Sequence, residues 1–153
     1  MNEHMPENNY ALAFRVEAEL LIKHNGPSSI PRDRGTYIIR SFQSNKRLGV
    51  ATSKSKVVLD AWSEPHVIWI LEQFEDGFRI TNADNGLVLG VAGKEQGAAV
   101  QVQSAKQIED GILQWSFKKF GDAYVLVSRG TEMVLDVKDR SAEDGAPIIQ
   151  WPA

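Results

Sequence analysis

The chain has 153 residues, 42% of them hydrophobic and 24% charged, with a net charge of −3 at pH 7. That length suits one domain able to bury a real core, and the balance is that of a soluble globular protein. The acidic balance, with Lys and Arg scattered among Asp and Glu, speaks against a nucleic-acid surface. The lack of any Cys excludes disulfides and thiolate metal sites and is compatible with a reducing compartment. No apolar run approaches the ~18 residues that suggest a membrane span.

Met1 to Tyr10 is polar, with Glu3 and Glu7 and no apolar stretch, so no secretory signal is expected there. With no Asn-x-Ser/Thr sequon anywhere, a cytoplasmic location is the expectation. From Ala11 to Ile22 the chain alternates: Leu12, Phe14, Val16, Ala18, Leu20 and Ile22 are apolar, with Arg15, Glu17 and Glu19 between them. Asn25 to Pro31, rich in Gly, Ser and Pro, reads as a surface linker.

A repeat begins at Gly35. Tyr37, Phe78 and Tyr124 each precede, by eleven residues, the triplets Leu48-Gly49-Val50, Leu89-Gly90-Val91 and Leu135-Asp136-Val137. Period-two alternation around each aromatic predicts strand. A third strand follows in each copy, at Val57–Leu59, Ala99–Val102 and Pro147–Gln150. A fourth is headed by Trp69 or Trp115, each nine residues before the next copy's opening aromatic. Asp84-Asn85-Gly86, Glu109-Asp110-Gly111 and Glu143-Asp144-Gly145 supply turns. Four strands in each of three copies predict a single all-β domain spanning 1–153, a closed six-stranded barrel with a hairpin cap, that is, a β-trefoil. Its parts are the N-terminal strand and linker (1–34) and repeats at 35–76, 77–122 and 123–153.

The third copy ends before its Trp. Phe14-Arg15-Val16-Glu17 looks like Trp69-Ile70-Leu71-Glu72, so the N-terminal strand is expected to supply the missing twelfth strand, as in a permuted barrel. An amphipathic helix, or an extra strand packed outside, is the alternative. Trp69, Trp115 and Phe14 are then core residues in equivalent places.

The stretch from Met133 to Pro152 resembles a repeat of the ricin-B-type lectin family: an apolar-Asp-Val strand, a polar loop with Asp-Gly, and an apolar strand ending in Gln-Trp. The resemblance covers Gly35 to Ala153 and implies a β-trefoil that binds glycans or glycoproteins, with galactose or N-acetylgalactosamine as the usual sugar. It places the single site in the third repeat. Asp136 would accept bonds from two adjacent hydroxyls and Trp151 would stack on the sugar's apolar face, with Lys138, Asp139 and Gln150 beside them. Copies one and two carry Gly49 and Gly90 at the Asp position, and Trp62 and Gln103 at the aromatic position. Trp62 with Asp60 would make at most a degenerate second site. Ile149 stands where many family members have Gln, and no residues remain for the Asn-Gln pair that follows the aromatic, unless Asn8 or Asn9 serves.

Other readings stay open. Asp136 could cap nearby backbone amides, and Trp151 could simply cover the barrel rim. Related β-trefoils include protease inhibitors, and Lys54 in the loop Thr52–Lys56 could enter a trypsin-like pocket. A protein-interaction scaffold without sugar affinity is a third possibility. His4, His24 and His66 are isolated, which argues against a metal. Gly90 to Lys94 fails the phosphate-loop test because Val88 replaces the needed Gly. The paired carboxylates Glu109 and Asp110 lie in a predicted turn, as do Glu143 and Asp144, so both pairs are expected to be solvated. No nucleophile has a neighbouring His, so neither an enzyme nor a cofactor is expected. A homodimer is expected, because linking two weak sites raises avidity.

Overall fold

The structure is a computed structural model, and it describes residues 12–18, 35–51, 55–60, 65–105 and 112–153. Among these residues there are twelve strands: β1 (Ala13–Ala18), β2 (Gly35–Ser41), β3 (Arg47–Val50), β4 (Val57–Asp60), β5 (Ile68–Phe74), β6 (Gly77–Asn82), β7 (Val88–Val91), β8 (Val100–Gln103), β9 (Trp115–Phe120), β10 (Ala123–Ser128), β11 (Val134–Val137) and β12 (Ile148–Trp151). Six of them pair in the circular order β1, β2, β5, β6, β9, β10 and back to β1. The other six form the hairpins β3–β4, β7–β8 and β11–β12, attached to β2, β6 and β10. This is the β-trefoil, and closure leaves the barrel without an edge strand.

The N-terminal strand is the barrel's missing stave. Tyr37 faces Trp69, Phe78 faces Trp115, and Tyr124 faces Phe14. Four residues further along each of these strands, Gln73, Lys119 and Ala18 face the next opening aromatic. Neither a helix nor an outer strand would give that register. Trp69, Trp115 and Phe14 are all fully buried. The two indoles donate to the Leu48 and Leu89 carbonyls at 2.9 and 3.0 Å, a bond that Phe14 has no donor to copy.

A threefold turn follows each opening strand. The side-chain oxygens of Ser41, Asn82 and Ser128, all buried, accept from backbone amides two or three residues ahead. Four residues after each of them the chain turns left-handed, at Asn45 (φ 66°), Gly86 (φ 75°) and Glu132 (φ 66°). Asn and Gly take that conformation cheaply, whereas Glu does not.

The hairpins lock to one another across the cap. Leu59, Val102 and Gln150 stand at one register position, opposite Leu48, Leu89 and Leu135. Each donates its backbone N–H to the hairpin loop of another copy, at Ala146, Ser55 and Ala98 respectively.

Candidate functional site

Asp136 lies inside β11 opposite Ile149, and Trp151 is two residues further along β12. Strand periodicity therefore puts both side chains on the same outer face as diagonal neighbours, about 7–8 Å apart. The inner face holds Leu135, Val137 and Ile148 in the core. Asp136 and Trp151 share a surface pocket of about 430 Å³, lined also by Leu12, Gly97, Lys138, Asp139, Arg140, Ile149 and Pro152. Its size is that of a small-ligand site.

The pocket has two unusual members. Trp151 is 41% exposed, alone among the large hydrophobic side chains of the described residues. Asp136 is half-buried, and its Oδ1 has neither water access nor a hydrogen-bond partner. Burial pushes its carboxyl from the ordinary 3.8 up to about 6, against the opposing pull of the Val137 amide and the Arg140 guanidinium. An unpaired buried acceptor costs stability.

The lip is a short kinked turn, Lys138–Arg140, in which Asp139 (φ 57°) and Arg140 (φ 53°) are both left-handed. Copy one braces this turn from outside. Gln43 Nε2 donates to the Arg140 carbonyl at 3.1 Å, and Lys46 bonds the Ala142 carbonyl and pairs with Asp144 at 3.0 Å.

Of the residues expected at the site, Asp136, Trp151, Lys138 and Asp139 come together. Gln150 does not join them. It is fully buried on the inner face, where alternation along β12 points it, and its amide is occupied by protein partners. Leu12, Gly97, Arg140 and Pro152 were not expected at the site, and Ile149 was expected only as a departure from the family's Gln. Arg140, Ile149 and Pro152 are near neighbours of expected residues. Leu12 and Gly97 come from the N-terminal strand and from copy two, and nothing local in the sequence joins them to Asp136.

In copy two, packing leaves no room for a carboxylate at the equivalent position. Gly90 occupies the Asp136 position, where an added Cβ would meet Leu113 Cδ2 at 2.5 Å and the Ile112 carbonyl at 2.9 Å. The register also corrects one equivalence. Trp151 corresponds to Gln103, as expected, but in copy one to Asp60 and not to Trp62. Trp62, Asn8, Asn9, His4, His24, Glu109, Asp110 and the Thr52–Lys54 part of the proposed inhibitor loop lie outside the described residues. Among the described residues no group of three potential metal ligands occurs.

Comparisons place this geometry among known folds. A sequence model described as "Ricin-type beta-trefoil lectin domain-like" matches residues 28–104 and 69–151. No curated protein gives a significant match. Among solved structures, the designed threefold-symmetric protein ThreeFoil is similar at 28% identity, over 77% of this chain and 89% of that one, with a TM-score of 0.72. The Macrolepiota procera ricin B-like lectin, solved in complex with lactose, is similar at 14% identity over 81% and 90% of the two chains, again with a TM-score of 0.72. An exo-β-1,3-galactanase from Clostridium thermocellum is similar at 24% identity over 84% of this chain but only 29% of its own length, with a TM-score of 0.70. With the family model spanning most of the sequence, the chain belongs to the ricin-type β-trefoil lectin domain-like family.

Proposed function

We propose that the chain is a carbohydrate-binding lectin, not an enzyme, and that it takes a galactose- or N-acetylgalactosamine-type glycan in the Asp136–Trp151 pocket of its third repeat. The observation that carries this reading is the pairing of a half-buried carboxylate with an exposed Trp in a single pocket. Ionised Asp136 accepts hydrogen bonds from adjacent sugar hydroxyls through the part of its carboxylate that faces the pocket. Trp151 offers a rigid apolar face to the C–H face of the pyranose. Lys138, Asp139 and Arg140, at the lip, contact substituents further out. The lactose held by the similar Macrolepiota procera lectin supports the choice of sugar class.

A single sugar site per chain gives weak binding alone, so we propose that the protein acts as a homodimer, in which two linked sites gain ~10²-fold or more in avidity. A glycan array on the purified chain tests the reading. Signals confined to glycans with terminal galactose or N-acetylgalactosamine are expected, and an array without signal on any glycan contradicts it.

A further inference from the structure

Gln150 sits where copies one and two have Leu59 and Val102. Its backbone does what theirs does, since its N–H donates to the Ala98 carbonyl at 3.0 Å. Its side chain does something they cannot. Nε2 donates to the Gly93 carbonyl at 3.0 Å and to the Glu95 carbonyl at 2.8 Å, both in the β7–β8 loop of copy two. Oε1 accepts from the Thr131 hydroxyl at 2.8 Å, and the same hydroxyl accepts from the Met133 amide at 3.2 Å. A polar amide at an apolar core position is costly unless every bond is made; here Oε1 is held by Thr131 of its own copy and both Nε2 bonds are made to one loop of copy two.

That loop reaches the pocket wall at Gly97. Its Gly97 (φ 85°) donates to the Gln150 carbonyl at 2.9 Å, and a methyl group on Gly97 would touch Trp151 Cζ3 at 3.7 Å. We infer that Gln150 is a positioning residue: from inside the core it fastens the Gly93–Gly97 loop of copy two against Trp151 and so holds one wall of the third-repeat pocket in place. Copies one and two, with Leu59 and Val102 at this position, have no side-chain amide there to fasten a loop in this way. The role depends on the carbohydrate-binding reading only for the identity of the ligand.

The test replaces Gln150 by what copy one uses. Full-length Gln150→Leu is compared with the wild type by amide hydrogen exchange over 92–99 and by calorimetric titration with lactose. Gln150→Met, of matching length, serves if the Leu variant does not fold. Exchange in 92–99 is expected to rise about tenfold while the barrel strands keep their protection, and lactose affinity to fall about tenfold as the preorganised wall loosens. Unchanged exchange in 92–99 overturns the inference, as does wild-type lactose affinity despite faster exchange. Failure of both variants to fold makes Gln150 a plain core residue and overturns it too. If the wild type itself does not bind lactose, the galactoside reading fails, and the exchange result alone decides whether Gln150 holds the wall.

Discussion

Phe14 faces Tyr124 across β1 and β10 in the register that pairs Trp69 with Tyr37 and Trp115 with Phe78. A residue near the N-terminus thus completes the copy that ends the chain. Since Phe14 is fully buried in the main core cluster, Phe14→Ala should cost about 3–5 kcal/mol in chemical denaturation. A loss under about 1 kcal/mol would mean that β1 is only an accessory to the barrel.

Glu132 holds a left-handed turn position that copies one and two give to Asn45 and Gly86. Relieving that conformation is worth about 1 kcal/mol. Glu132→Asn should therefore raise the denaturation midpoint, with lactose titration unchanged. A neutral or destabilised variant would show that the Glu side chain is compensated elsewhere.

Grafting the carboxylate onto copy two should not create a second site. In Gly90→Asp the new Cβ collides with Leu113 and the Ile112 carbonyl, so a loss of about 1–3 kcal/mol is expected. The stoichiometry of sugar binding should stay at one per chain. Two sites in a stably folded variant would contradict the packing argument.

Asp136 makes binding depend on pH. If the ionised form binds sugar, affinity is full well above pH 6 and falls about tenfold per unit below it. Stability runs the other way. A carboxyl whose folded value lies above its unfolded one contributes stability below the unfolded value of 3.8 and loses it as pH rises through about 6. Discounted for partial exposure, Asp136→Asn should gain about 1–2 kcal/mol at neutral pH, with the gain gone near pH 3. Titration and melting curves between pH 4 and 8 check both signs, and flat profiles would mean that Asp136 keeps an ordinary carboxyl.

The fold was legible because barrel strands must repeat. The eleven-residue spacing from each opening aromatic to Leu48, Leu89 and Leu135, and the nine from each Trp onward, follow from strands of fixed length around one core. The place of β1 could be read from the alternation of Leu12, Phe14 and Val16 once the third copy was seen to end early. The cap was harder. The loops within the hairpins span 51–56, 92–99 and 138–147, so counting along the chain misplaces equivalent residues and put Trp62 where the ladder puts Asp60. Gln150 could have been assigned to the inside from the alternation with Ile148, but the family resemblance of its stretch drew it into the site. The pocket's far walls were not legible at all. Leu12 and Gly97 reach Asp136 only through barrel closure and the linkage of one hairpin to another.

The central claim is that Asp136 is the residue that holds the sugar, and calorimetric titration of lactose into the wild type and Asp136→Asn at about pH 7.5 tests it most directly. The substitution keeps the shape but removes the charge and turns one acceptor into a donor. A hydrogen bond to a charged group is worth ~1.5–3 kcal/mol, so affinity should fall roughly ten- to a hundredfold while the variant stays folded. If the wild type binds lactose and Asp136→Asn binds it equally well, the sugar is held elsewhere and the account of the pocket is wrong.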